Sequence, residues 1–192
     1  MYKLIAHRGN KEKAFENTLK AFYDAINSDY VGFECDVRVT KDNILIIYHD
    51  SLYKGKLIKN MLYKDLDNIL TLKDVLNIQT NKIIMLDIKD PFLDVKLLLK
   101  EINKHSYLNI YVISFYKSIL DKLNIANKKY EVGLLNYVLN YDNNYDFICI
   151  MGVFLNLKII SKFQKENKKL FVYNIKRKDI KYSYPYYIID NN

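Results

Sequence analysis

Short runs of β-branched and aromatic residues alternate along this chain with amphipathic stretches, the pattern of repeated strand–helix units and of a parallel sheet. The apolar runs predict core strands at residues 3–7, 31–36, 82–87, 110–114, 131–135, 147–151, 169–173 and 186–190. Helical spacing predicts helices at 18–27, 72–77, 92–105, 117–124 and 157–166. The first of these sets Leu19, Phe22, Tyr23 and Ile26 on one face, with Asn17 placed to cap it. Eight parallel strands predict a closed barrel, so the expected fold is α/β, a TIM (β/α)8 barrel. The connections at 136–145 and 177–185 are too short for full helices, and no helix follows the eighth strand. The barrel is therefore trimmed, below the roughly 200 residues at which this fold usually starts.

One stretch breaks the alternation. After Glu34-Cys35-Asp36 the strand pattern continues through Val37-Arg38-Val39, turns at Lys41-Asp42-Asn43 and returns over 44–49. This predicts a β-hairpin excursion at the C-terminal face of the barrel. Folding about a turn near residues 41 and 42 brings His49 back beside Glu34.

Composition narrows the class. A chain of 192 residues that is 50% hydrophobic can bury one core, which predicts a single barrel domain over 1–192. The net charge of +8 would ordinarily suggest an anionic partner. Lys, Asn, Ile and Tyr are inflated together, however, as an A/T-rich coding sequence would produce. The lysines are scattered, with no aromatic-basic platform, so no nucleic-acid partner is expected. No run approaches the roughly 20 apolar residues of a membrane span. The apolar start, Met1 to Ala6, is too short for a signal peptide. A transmembrane segment is thus not expected, while peripheral contact with a membrane surface stays compatible with the charge. Cys35 and Cys149 have neither metal-site nor disulfide spacing, which favours a reduced, cytoplasmic protein.

The chemistry gathers in the first 90 positions. His7-Arg8-Gly9, Glu34 with Asp36, His49-Asp50, and Asp87 with Lys89 each sit at or near the end of an apolar run, where a parallel barrel collects catalytic groups. Glu34 and Asp36 share one strand face, as do Asp87 and Lys89. Taken alone, an acidic i, i+2 pair is usually a solvated strand face. Three carboxylates converging at a barrel mouth, by contrast, repel one another unless a cation lies between them. Hard oxygen donors without thiolate or spare imidazole select one divalent cation, Mg²⁺ or Ca²⁺. His7 and His49 flank the cluster and could move protons in phosphoester cleavage. Arg8 offers a planar fork for phosphate oxygens and Lys89 a point charge. Asp50 is placed to orient a loop or His49 rather than to bind metal, and His105, at a helix end, to cap it or sit on the surface.

These residues resemble the glycerophosphodiester phosphodiesterase family. The resemblance rests on Ile5-Ala-His-Arg-Gly9, Glu16-Asn-Thr18, Phe33-Glu-Cys-Asp-Val37 with Thr40-Lys-Asp42, Tyr48-His-Asp50, Leu72-Lys-Asp-Val-Leu76, Leu86-Asp-Ile-Lys89 and Ile113-Ser-Phe115. Order and spacing agree over the first 115 residues, and later resemblance is one of hydrophobic pattern. The resemblance implies His7 and His49 as acid and base, with Lys89 beside them. It implies Glu34, Asp36 and Asp87 as metal ligands and Arg8 and Lys89 as phosphate contacts. It also implies a route in which the glycerol 2-hydroxyl attacks phosphorus, an alcohol leaves, and water opens a cyclic phosphate. The expected product is glycerol 3-phosphate.

The departures are specific. Asp87 stands where Glu is usual, and Phe15 replaces a Pro. Only about 20 residues separate Asp50 from Leu72, where a larger insertion is typical, so a more open pocket is expected. The late Trp-Thr pair is Tyr173-Asn174, and the closing Thr-Asp-x-Pro is Ile189-Asp190-Asn191-Asn192. The Asp-x-Lys element also resembles phospholipase D toxins of the same barrel type. Two further readings therefore stand beside the first: a lysophospholipase D-like lipid phosphodiesterase, and a catalytically silent barrel binding a phosphorylated ligand. No motif specifies the alcohol headgroup or an oligomeric state.

Overall fold

The computed structural model describes residues 1–125, 127–137 and 144–190. In chain order the elements are β1 (Lys3–Ala6), α1 (Leu19–Ile26), β2 (Gly32–Val39), β3 (Leu45–Ile47), β4 (Leu52–Tyr53), β5 (Lys56–Leu57), α2 (Leu72–Leu76), β6 (Ile83–Ile88), α3 (Val95–Lys104), β7 (Asn109–Ser114), α4 (Lys117–Leu123), β8 (Glu131–Asn136), β9 (Phe147–Met151), α5 (Leu157–Lys165), β10 (Lys169–Tyr173) and β11 (Tyr186–Ile189). Eight strands run parallel in the order β1-β2-β6-β7-β8-β9-β10-β11, and the ring closes because β1 pairs with both β2 and β11. The ninth strand of the sheet, β3, lies antiparallel on the extension of β2. The fold is a TIM barrel with one strand outside the ring, as the alternation of patterns predicts.

Strand alternation divides the core into two layers. Inside the barrel, Ile5, Met85, Tyr111, Phe147, Cys149 and Phe171 pack together. Outside it, Phe33, Cys35, Val37, Leu86 and Val112 meet the apolar faces of the helices, where Phe22 stacks on Phe33 with ring centroids 4.5 Å apart. The interior is filled by unequal partners. A Cβ at Gly133 would lie 2.1 Å from the Phe147 ring, so only glycine lets that ring occupy the barrel axis. Cys35 falls on the opposite face from Glu34 and Asp36, as its position between them requires.

The helices differ from expectation at their starts. Thr18, not Asn17, caps α1: its Oγ1 accepts from the Ala21 amide at 3.3 Å, while Asn17 adopts a left-handed φ of 55° and turns its side chain inward. Helix α3 begins at Val95 rather than residue 92, because Asp94 caps it by accepting from the Lys96 amide at 3.0 Å. Phe92 is left 92% exposed in the preceding loop. The miniature hairpin β4–β5 turns on Lys54 and Gly55, both with positive φ, and its two-residue strands are too short to show a period. The connection from β10 to β11 carries one 3-10 turn, Arg177–Asp179, and no α-helix. Of the other short connection, residues 138–143 lie outside the described residues.

Candidate active site

The C-terminal ends of β1, β2 and β6 build the charged side of the mouth. Parallel register sets Asp36 directly beside Asp87, with Glu34 two residues earlier on the same face of β2. All three carboxylates are buried, and each offers an oxygen within 4.8 Å of the others. Their neighbours compensate the charge. Lys89 Nζ hydrogen-bonds the Asp87 carboxylate and lies 3.1 Å from Asp36 Oδ1. The Arg8 guanidinium lies 3.1 Å from Asp36 Oδ2 and donates to Glu16 at 2.8 Å. Arg8 takes a left-handed φ of 56°, which aims its amide at Glu34 Oε2, 3.0 Å away. Asn17 Nδ2 donates to Asp36 Oδ2 at 2.9 Å.

Protonation follows from this arrangement. Burial, reinforced by the Asp36 charge, pushes Glu34 up to about 8. Burial raises Asp87 as well, only partly opposed by Lys89. Burial acts in the same direction on Asp36, but Lys89, the Asn17 hydrogen bond and Arg8 outweigh it and hold that carboxyl below its ordinary value. Lys89 loses solvation, yet Asp87 and Asp36 more than restore its charge and raise it. Asp87 Oδ1 is buried without a hydrogen-bond partner. An orphaned carboxylate oxygen within a three-carboxylate cage of hard donors fits a divalent cation, so Glu34, Asp36 and Asp87 could hold one.

The histidines approach from two loops. His7 follows β1 and extends its ladder by donating its amide to Ile189 O at 3.0 Å. Its Nδ1–H donates to Asp190 Oδ1 at 2.8 Å, which leaves Nε2 3.9 Å from Glu34 Oε2. Burial alone would lower the His7 pKa, but the Asp190 hydrogen bond and the Glu34 charge raise it. That same bond holds Asp190 well below the usual carboxylate range. His49 arrives by the hairpin. Register pairs Val37 with Ile47, and the Tyr48 amide donates to Asp36 O at 3.0 Å, which sets His49 at the level of Glu34 and Asp36. Its Nδ1–H donates to Asp50 at 2.7 Å. Arg38 clamps the loop, donating to the His49 carbonyl at 2.9 and 2.7 Å and to Asp90 at 2.8 Å.

These groups open into a cavity of about 340 Å³. His7, Arg8, Glu34, His49, Asp87 and Lys89 line it, with Asp36 buried behind them. The facing wall is apolar and aromatic. Phe115 stacks on Tyr137 with centroids 4.1 Å apart, and Tyr173 meets Phe115 edge-on while donating to Asn136 O at 2.9 Å. The structure thus gathers all seven sequence-derived site residues around one pocket, and it places His105 elsewhere, at the end of α3. The sequence pattern does not assign the Asp190–His7 pair, the Arg38 clamp or the inward role of Asn17. Asp190 lies 183 residues from His7 in sequence, so no local spacing could reveal the pair.

The glycerophosphoryl diester phosphodiesterase family matches residues 7–185. A glycerophosphodiester phosphodiesterase of Bacillus altitudinis is 42% identical over 72 residues, covering 34% of this chain and 29% of that protein. An uncharacterised protein of Mycoplasma genitalium is 28% identical over 167 residues, covering 74% of this chain and 64% of its own length. The match therefore spans less than two thirds of each of these relatives. Among solved structures, glycerophosphodiester phosphodiesterase of Thermotoga maritima superposes with a TM-score of 0.82 at 25% identity, covering 98% of this chain and 94% of that one. A phosphodiesterase of Oleispira antarctica, in complex with the product sn-glycerol-3-phosphate, superposes with a TM-score of 0.81 at 19% identity, covering 91% and 85%.

Proposed function

The chain belongs to the glycerophosphoryl diester phosphodiesterase family, and from that premise we propose that it hydrolyses glycerophosphodiesters to glycerol 3-phosphate and an alcohol. In this reading, residues 1–192 act as one catalytic domain. The observation that carries it is the convergence of two carboxylate-oriented histidines, two cations and a buried three-carboxylate cluster in one 340 Å³ cavity. The product held by the Oleispira antarctica relative is of the same class.

Glu34, Asp36 and Asp87 would hold one divalent cation, Mg²⁺ or Ca²⁺, which when bound supplies positive charge beside the phosphate oxygens. The chain's own residues account for the proton movements. Asp190 and Asp50 each engage Nδ1 of a histidine, which fixes the tautomer and leaves Nε2 free to exchange a proton in the pocket. One imidazole takes the proton of the glycerol 2-hydroxyl as that oxygen attacks phosphorus. The other gives a proton to the departing alcohol oxygen. The two then exchange roles as water opens the cyclic phosphate. Arg8 and Lys89 face the same cavity and offset charge on the phosphoryl oxygens. The buried unpaired thiols of Cys35 and Cys149 support a cytoplasmic site of action.

The test is release of glycerol 3-phosphate from a panel of glycerophosphodiesters with Mg²⁺, Ca²⁺ or chelator present. Metal-dependent release that His49→Ala abolishes is the expected result. Folded, metal-bound protein that cleaves only long-chain lyso-lipids would move the reading to a lysophospholipase D, and no cleavage of either class would leave a silent binding barrel.

A further inference from the structure

Beside the catalytic cavity lies a second, larger groove of about 700 Å³, and His7, Tyr173, Asn174 and Ile188 line both. It borders a connection that carries no α-helix. Residues 174–185 must travel from the C-terminal end of β10 to the N-terminal start of β11. They do so as an irregular segment with one 3-10 turn, fastened by Arg177 to Asp29 at 3.0 Å. An α-helix would lay a packed face against the barrel here. The segment instead leaves space between itself and the turn that follows β9. The two walls meet where Gly152 faces Ile175, since a Cβ on Gly152 would sit 2.8 Å from the Ile175 Cβ.

The groove begins at His7, one of the two proton-moving groups proposed above. A phosphodiester held in the smaller cavity with one ester oxygen at His7 would extend that oxygen's substituent into the groove. The lining bears on which substituent fits. Tyr173 and Tyr182 give aromatic surface, while Lys176, Lys181 and Asp179 are exposed and make no ion pair among the described residues. Asp190, at the groove's inner end, is already engaged by His7 and Lys11. Two unpaired lysines thus face one unpaired carboxylate, a balance unfavourable to a cationic substituent. Aromatic faces attract ammonium groups as well as sugars, so the selection falls to the two lysines, whose charge repels an ammonium alcohol and whose Nζ–H donors meet hydroxyl oxygens.

We infer that this groove is the subsite for the alcohol half of the diester, and that it selects polyhydroxylated alcohols without positive charge over ammonium alcohols. The inference rests on the phosphodiesterase reading and deepens it. It is tested by measuring kcat/KM for glycerophosphoinositol, glycerophosphoglycerol and glycerophosphocholine, with wild-type protein and with the Lys176→Glu/Lys181→Glu variant. Both lysines are exposed, so the variant keeps the fold. Wild type is expected to favour the two polyol diesters over the choline diester by about tenfold, and charge reversal to erase or invert that ratio. Equal or better cleavage of the choline diester by wild type, or a ratio that charge reversal does not move, would overturn the subsite while leaving the phosphodiesterase reading intact. Release from none of the three would remove that reading and the subsite together.

Discussion

On one side of the barrel mouth, β1, β2, β3 and β6 bring up His7, Arg8, Glu34, Asp36, His49, Asp87 and Lys89. On the other, β7 to β10 bring up Ile113, Phe115, Leu135, Tyr137, Met151 and Tyr173. The charged side is mutually constrained. Asp36 alone is engaged by Lys89, Arg8 and Asn17, so a change at any one of them leaves buried charge exposed to its neighbours. The apolar side is held by ring packing, which tolerates exchange of similar shapes. The difference separates tasks. In the proposed reading, the constrained side supplies chemistry that cannot vary freely, and the packed side shapes what the chemistry acts on.

Substitutions on the constrained side should break turnover. His49→Ala and His7→Ala are each expected to lower kcat by about a hundredfold or more. Circular dichroism should show the fold intact. Asp36→Asn should act on stability as well, costing about 3 kcal/mol by urea unfolding, because Lys89 and Arg8 lose their shared buried partner. Removing Asp190 sharpens the comparison, since it orients His7 and pairs with Lys11 but is not one of the three clustered carboxylates. Asp190→Asn is expected to reduce kcat by about tenfold with little change in KM. It should also lower the His7 pKa, read by NMR titration of the imidazole, because the bond that raises it is lost. The smallest effect belongs to the packed side: Tyr173→Ala should raise KM by about threefold to tenfold and leave kcat within about a factor of two.

Metal binding adds a pH test of the carboxylate cluster. Glu34 lies at about 8, so at lower pH it is protonated and must release that proton to act as a ligand. Divalent-cation affinity measured by calorimetry should therefore rise as pH increases toward 8, by up to about tenfold per pH unit, and level off above it. Glu34→Gln should weaken binding and flatten this dependence, with excess metal restoring part of the activity.

The same contrast explains what the sequence reveals. The charged side is legible because its residues lie within two consecutive β-α-β units and one hairpin, where i, i+2 spacing fixes the face and a turn at Lys41 to Asn43 fixes the return of His49. Asp190 is not, because only closure of the ring brings β11 beside β1. Asn17 reads as a helix cap by type and position, yet its left-handed backbone turns it toward Asp36 and passes the capping role to Thr18. The eight strands follow from the apolar runs, whereas the start of α3 depends on Asp94 capturing the Lys96 amide. The 700 Å³ groove is the hardest to foresee: the short connection that borders it shows in the sequence, but the cavity itself does not.

The most direct test is one set of kcat and KM values for glycerol 3-phosphate release from a single glycerophosphodiester, with wild type, His49→Ala and Tyr173→Ala compared at saturating Mg²⁺. The account predicts metal-dependent release by wild type, loss of kcat in His49→Ala, and a raised KM with kcat retained in Tyr173→Ala. Undiminished kcat in His49→Ala, or collapse of kcat in Tyr173→Ala to the same degree, would contradict it.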